Sequence, residues 1–210
     1  MVPKEEQALT QLRRMAEQWQ LPLSRADRAA LLTYGQLLLQ WNERINLTGA
    51  KSLNELIDEH FSDAFAVARQ IKSTAKVVDI GSGGGLPALP AALMAPQASI
   101  LMVEPIRKKV AFLRTAIRTL RLSNRVSVVP ERWEGALPGG RSAPFDVAMS
   151  RATFRPEDWL QKAWSLVRPE GRILALSAHR SLAIPDRLDP EDVESYADGT
   201  RWLLSFRRST

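Results

Sequence analysis

The apolar positions of the chain change rhythm near residue 76. Before that point they recur at three and four, first in Leu31, Tyr34, Leu38, Trp41 and Ile45, then in Leu53, Leu56, Ile57, Phe61 and Phe65. This spacing lays a single stripe along a helix, so the pattern predicts amphipathic helices, with Pro22 and the Asn46-Leu47-Thr48-Gly49 stretch as breaks. After Lys76, short apolar runs alternate with helical stretches: 77–80, 100–103, 126–129, 145–149 and 173–176. Runs that are apolar at nearly every position suit strands covered on both faces, and strands alternating with helices imply a parallel sheet. The expected fold is therefore α/β and Rossmann-like, with a helical cap over residues 1–75 and the sheet domain over 76–210, in one compact unit. The last apolar run, 202–206, is expected to add an edge strand.

Composition narrows the chemistry. The 210 residues are 45% hydrophobic and 25% charged, ordinary for a chain that buries about 70% of its unfolded surface without staples. Cysteine is absent, which excludes disulfides, thiolate metal sites and a Cys nucleophile. With His60 and His179 the only histidines, a multi-histidine metal site is excluded as well, and no metal is expected. Residues 80–103 carry no charge, but Gly81, Gly83, Gly84, Gly85, Pro87, Pro90 and Pro96 break them into loops rather than a membrane span. No apolar leader follows Met1, so a cytoplasmic chain with no membrane partner is expected.

Charge adds a local feature. Lys plus Arg number 29 and Asp plus Glu 23, giving +6. Residues 1–75 hold nine of each sign, so the excess lies wholly beyond them, most densely between Pro105 and Pro130, where seven basic residues meet no acidic one. There Ile106, Val110, Leu113, Ile117 and Leu120 mark a buried helix face, and Arg107, Arg114, Arg118, Arg121 and Arg125 form a stripe about 100° around from it. Like charges at i,i+4 repel, so a stripe without carboxylates is expected to face a phosphate backbone; a solvated surface is the plainer alternative.

The most specific stretch is Val77-Val78-Asp79-Ile80-Gly81-Ser82-Gly83-Gly84-Gly85-Leu86, a strand entering a glycine turn and then a helix. Leu86 stands where a dinucleotide fingerprint would place another glycine, so the loop suits a nucleoside cofactor better than a pyrophosphate. A second strand ends in Glu104, 19 residues beyond Gly85, where a carboxylate can accept both ribose hydroxyls. Strand, glycine loop, helix, strand and terminal acid form the S-adenosylmethionine pattern of class I methyltransferases, with Asp79, Gly81, Gly83, Gly85, Leu86 and Glu104 as candidate cofactor residues. Without Cys, methylation at C5 of cytosine is disfavoured. The fourth strand runs into Met149-Ser150-Arg151-Ala152-Thr153 instead of the Pro-Pro-aromatic turn of amine methylation. A ring nitrogen with a free lone pair, such as guanine N7, needs no general base and is compatible with both absences.

Four segments carry a family resemblance: Trp41-Asn42-Glu43-Arg44-Ile45-Asn46-Leu47-Thr48, His60-Phe61-Ser62-Asp63, Asp79 through Pro90, and Ser150-Arg151-Ala152. They resemble the bacterial 16S rRNA guanine-N7 methyltransferase family, also called glucose-inhibited division protein B. The resemblance implies S-adenosylmethionine as cofactor, the small ribosomal subunit as partner and a guanine of the position-527 type as target; the chain is expected to be a monomer. By the same resemblance Gly81 and Leu86 contact the cofactor, Glu104 holds its ribose, and Trp133 and Glu134 flank its adenine. Arg151 lies where methionine and target base meet and is the candidate catalytic residue, while Asn46, Thr48, His60 and Asp63 are site-adjacent. His60 and Asp63, three apart on a helix, are expected to bond to each other or to cap the site wall. Two departures stand out: the family's Lys-Gly after the fifth strand is Ser177-Ala178 here, followed by His179 and Arg180, and the segment to Arg201 is short. Arg180 is the candidate replacement for that lysine. A methyltransferase acting on a small molecule or protein, or an inactive cofactor- and RNA-binding module, are the alternatives.

Overall fold

Alternation along the strands decides the layers. In β1 (Lys76–Ile80) Val77 faces one hydrophobic cluster while Val78 and Ile80 face another, and β2 (Ser99–Val103) divides Ile100 and Met102 from Leu101 and Val103 in the same way. A period of two on strands apolar throughout requires cover on both faces. The computed structural model describes residues 4–135 and 144–209. Within them β3 (Val126–Val129), β4 (Phe145–Ser150), β5 (Val167–Ser177), β6 (Leu188–Tyr196) and β7 (Arg201–Arg208) complete one sheet in the order β3-β2-β1-β4-β5-β7-β6. Strands β1 to β5 are parallel, β7 runs antiparallel to β5, and β6 antiparallel to β7.

One face is covered by α1 (Lys4–Gln18), α2 (Arg25–Asn42), α3 (Leu53–Leu56), a π-helical turn (Ile57–Phe61), α4 (Ser62–Gln70), α5 (Ala88–Met94) and α6 (Arg107–Thr119). A single cluster runs from Ala8 in α1 to Leu203 in β7, so the helices before residue 76 share their core with the sheet. The other face is covered by α7 (Pro156–Ala163), through Trp159 and Leu160. Helix α2 starts on a reciprocal cap between Ser24 and Asp27 and buries Leu31, Tyr34 and Leu38. No helix among the described residues is long and apolar enough to cross a membrane.

Several sequence expectations are corrected. The run 202–206 is not an edge: β7 lies between β5 and β6, and β6 forms the border. Strand β6 pairs along its length with β7 and carries ion pairs on its side chains, with Glu191 accepting from Arg172 (2.7 Å) and Arg207 (2.5 Å) and Glu194 from Arg69 (2.7 Å), so it lacks the apolar alternation that announces a strand. Helix α2 stops at Asn42, leaving Ile45 in the following turn. Ile106 precedes α6 and is 49% exposed rather than packed. The arginine stripe also ends early. Helix α6 closes at Thr119, Arg121 has φ +56° in the turn beyond it, and Arg125 points inward, donating to the carbonyls of Ala92 (2.6 Å), Ala95 (3.2 Å) and Ala98 (3.0 Å). Arg107, Arg114, Arg118 and Arg121 remain exposed.

Candidate active site

The strand order reverses between β1 and β4, and open α/β sheets bind ligands at the carboxyl ends of the strands flanking such a switch point. Those ends deliver the glycine loop and Arg151. Gly81 sits at φ +75°, and a Cβ there would stand 2.0 Å from Thr153 Oγ1, so only glycine lets the loop lie against the chain leaving β4. At Gly83 the nearest atom to a Cβ would be Gly81 O at 3.9 Å, leaving bare backbone beside open space. Glu104, buried at the end of β2, braces this loop: its Oε2 accepts from Gly83 N–H (2.8 Å) and its Oε1 from Ile106 N–H (2.9 Å). From the cap, the Tyr34 hydroxyl donates to Gly84 O at 2.6 Å.

Beside the loop lies a cleft of about 450 Å³, within the usual range for a small-molecule site. Gly81, Trp133, Glu134, Thr153 and Phe154 line it. Its aromatic wall is fixed from behind, since Trp133 meets Trp159 edge-on at 6.1 Å and Phe154 stacks on Trp159 at 5.9 Å. Asp79 is 1% exposed and its Oδ2 has no hydrogen-bond partner among the described residues. Burial pushes its pKa up to about 7, against the pull of Ser82 and Arg151 and with a further push from Glu104. An aromatic surface for a purine beside a glycine loop fits S-adenosylmethionine; Asp79, with its orphan carboxyl oxygen, Gly83 and Glu104 adjoin the cleft through the loop and the strand ends and do not line it. Leu86 puts its side chain into the core.

A second cleft, of about 640 Å³, opens on the other side of the segment 151–154 and shares Phe154 with the first. It is lined by His60, Asp63, Arg151, His179, Tyr196 and Arg201. Arg151 Nη1 donates to His60 Nδ1 (2.7 Å) and to Asp63 Oδ2 (3.0 Å), while Asp63 Oδ1 accepts from the Tyr196 hydroxyl (2.8 Å) and Arg201 Nη1 (3.0 Å). Because Nδ1 accepts, Nε2 carries the ring hydrogen and donates to Thr48 Oγ1 at 2.8 Å. Desolvation and then the Arg151 charge lower the His60 pKa to about 4, with Asp63 opposing, so the ring is neutral at physiological pH. A π-helical turn presents His60, a distortion often found at functional sites. Ala152, directly after Arg151, has φ +57°, an uncommon conformation for a residue with a Cβ.

The structure thus brings Thr48, His60, Asp63 and Arg151 into one network, but His60 and Asp63 meet through Arg151 rather than each other. Asn46 is exposed and makes no hydrogen bond among the described residues. The loop is organised by Asn42, whose Oδ1 accepts from Leu47 N–H (2.8 Å) and Thr48 N–H (3.0 Å) and whose Nδ2 donates to Thr48 O (2.9 Å). Arg180 lies over the Trp202 ring at 5.7 Å, outside the network. Sequence reasoning missed Asn42, Tyr34, Phe154, Tyr196 and Arg201. Asn42 has a local signal, a side-chain amide at a helix end before a turn. Tyr34, Tyr196 and Arg201 depend on contacts across 50 to 138 positions, and Phe154 on ring contacts with Trp133 and Trp159.

Comparison with known proteins bears on the fold and the family. The family model described as rRNA small subunit methyltransferase G matches residues 27–186. The proteins named Ribosomal RNA small subunit methyltransferase G from Cronobacter sakazakii and Burkholderia thailandensis are 33% and 35% identical, over 95% and 89% of this chain and 98% and 78% of theirs. An S-adenosylmethionine-dependent methyltransferase structure from Aquifex aeolicus superposes with a TM-score of 0.56 at 14% identity, over 74% of this chain and 93% of that one, which shows the class I methyltransferase fold. With a family match over most of its length and relatives above 30% identity along nearly all of it, the chain belongs to the rRNA small subunit methyltransferase G family.

Proposed function

We propose that this chain transfers a methyl group from S-adenosylmethionine to N7 of a guanine in the 16S rRNA of the small ribosomal subunit. The observation that carries the reading is the pair of clefts divided by the segment 151–154, one suited to the cofactor and one containing the Arg151 network. When bound, the cofactor supplies an electrophilic methyl on a sulfonium. Guanine N7 attacks with a free lone pair, so the protein's task is alignment and not proton removal. Arg151 uses two of its five N–H groups on His60 and Asp63, and the remainder are available to the base or to the methionine carboxylate. The usual bidentate contact of arginine to guanine O6 and N7 would block the reacting atom, so Arg151 holds O6 alone. His60, neutral and fixed by Thr48, and Asp63, shared with Tyr196 and Arg201, set the direction of that guanidinium. Glu104 and the glycine loop hold the nucleoside, Trp133 and Glu134 border its adenine, and Asp79 faces its charged end.

The target base must leave its stack to reach the cleft. Arg107, Arg114, Arg118 and Arg121 supply the phosphate-binding surface; α6 also begins with Arg107-Lys108-Lys109 and no acid in its first turn, the reverse of the usual helix preference and one that an anion would relieve. Charge reversal at Arg114 and Arg118 weakens RNA binding and flattens its salt dependence. The site of action is the cytoplasm, where small subunits assemble, and the active chain is a monomer. Incubation with labelled S-adenosylmethionine and either naked 16S rRNA, small subunits or small metabolites tests the reading: label enters RNA and Arg151→Ala abolishes the transfer. Label confined to metabolites or protein refutes it.

A further inference from the structure

A third cavity, about 490 Å³, lies between the end of α2 and the start of α6, away from both clefts. Its lining includes Trp41, Ile45 and Ala111, with Arg44 and Lys108 at the rim. Trp41 is half-buried, tilted against Phe112 of the core at 5.7 Å and 60°, and so offers a fixed ring rather than a mobile one. Arg44 and Lys108 are exposed and make no salt bridge among the described residues, and Lys108 continues into the basic face of α6. One carboxylate, Glu43, also lines it, against two cations. The cavity adjoins the loop that leads to the second cleft: Asn42, next to Trp41, clamps Thr48, and Thr48 accepts from the His60 that holds Arg151.

We propose that this cavity is a nucleobase subsite, in which an unpaired RNA base near the target guanine stacks on Trp41 while Lys108 and Arg44 hold its phosphate. The proposal rests on the rRNA reading above. An aromatic ring flanked by cations is the arrangement with which proteins grip unstacked bases irrespective of sequence. An apolar protein segment would bury Arg44 and Lys108 against no partner, whereas a nucleotide satisfies the ring and the cations together. Occupancy by a splayed neighbour would also relieve the RNA of part of the unstacking needed to present the target.

The test uses the full chain with Trp41→Phe, Trp41→Leu and Lys108→Ala, measuring RNA affinity at several salt concentrations, S-adenosylmethionine affinity by calorimetry, and methyl-transfer kinetics. Trp41→Phe keeps a π-face and stays within about threefold of the parent. Trp41→Leu raises the RNA Kd and KM by about tenfold with an unchanged salt slope, because stacking releases no counterions. Lys108→Ala lowers the slope of log K against log salt by about one. Cofactor affinity is unchanged in all three, and kcat is unchanged in both Trp41 variants. A folded Trp41→Leu protein that binds and methylates RNA like the parent overturns the subsite and leaves the rRNA reading standing. Loss of binding to assembled subunits but not to naked rRNA also overturns it and assigns the cavity to a ribosomal protein. If the parent itself neither binds nor methylates RNA, the rRNA reading falls first and the subsite with it.

Discussion

Asp79→Asn should stabilise the cofactor-free protein above pH 7 while weakening its grip on S-adenosylmethionine. The Asp79 carboxyl is buried, its Oδ2 is unpartnered, and its pKa rises from 3.8 to about 7. In that window the folded chain retains a proton that the unfolded chain releases, so stability falls as pH rises and is flat once both forms are ionised. At 1.36 kcal/mol per pH unit, three units amount to about 4 kcal/mol lost between pH 4 and 7, an upper value for this single group. Asparagine removes the titration at nearly constant shape, but its amide enters the same pocket without a known acceptor, a penalty of about 1–3 kcal/mol. The variant is therefore more stable by about 1–3 kcal/mol at pH 8, about 3–10 °C in Tm for a chain of this size. The difference in urea-unfolding free energy between variant and parent, measured from pH 4 to 8, is the sharper readout. It should climb by up to about 1.4 kcal/mol per unit toward pH 7 and then level off, whatever the constant offset from the amide. In the same proteins, cofactor affinity should rise with pH through about 7 in the parent, as the carboxylate forms and meets the ammonium group, and be lower and pH-independent in the variant. A stability difference that does not change with pH would show that Asp79 is an ordinary ionised carboxylate and refute the reasoning.

Other perturbations separate structural from functional groups. Arg125→Met removes three bonds to the carbonyls of 92, 95 and 98 and should lower stability by about 2–3 kcal/mol in urea unfolding, with no effect on the salt slope of RNA binding. Gly81→Ala combines a left-handed backbone with a collision at Thr153 and should raise the cofactor Kd at least tenfold by calorimetry, with partial recovery in Gly81→Ala/Thr153→Gly. At saturating cofactor, kcat should be insensitive to His60 between pH 6 and 8 and fall below about pH 5, where protonation removes the Nδ1 acceptor and sets a cation against Arg151; His60→Asn should lack that limb. The stability linked to neutral His60 is present above pH 6.5 and lost as pH falls through about 4, about 1–2 kcal/mol once its solvent-exposed edge is discounted, which acid unfolding of the same pair would read.

How much of this was legible in the sequence follows from the kind of force involved. Strands β1, β2 and β4 and the second half of β5 announced themselves because burial on both faces demands apolar residues at nearly every position, whereas the first half of β5, where Arg168, Pro169 and Glu170 are exposed, gave no such signal. The glycine loop was legible because left-handed backbone and close approach both select glycine, as Thr153 shows at Gly81. Strand β6 was invisible, since Leu188-Asp189-Pro190-Glu191-Asp192 pairs with β7 through its backbone while the Glu191 carboxylate reaches Arg172 and Arg207, and charge pairing has no period. Arg125 looked like one more step of a basic stripe because spacing cannot show that the helix stops at Thr119 and the side chain turns toward three carbonyls. Arg151 could be placed at a strand end, but Asp63 reaches it from α4, and Tyr196 of β6 and Arg201 of β7 reach Asp63, only once the sheet has closed.

Nucleoside mass spectrometry of unmodified 16S rRNA, before and after incubation with the protein and S-adenosylmethionine, tests the central claim most directly. One equivalent of 7-methylguanosine per RNA, at a single guanine, is the predicted result, with none formed by Arg151→Ala. Methylation at another atom or another base, or an unchanged RNA in both naked and assembled form, would contradict it.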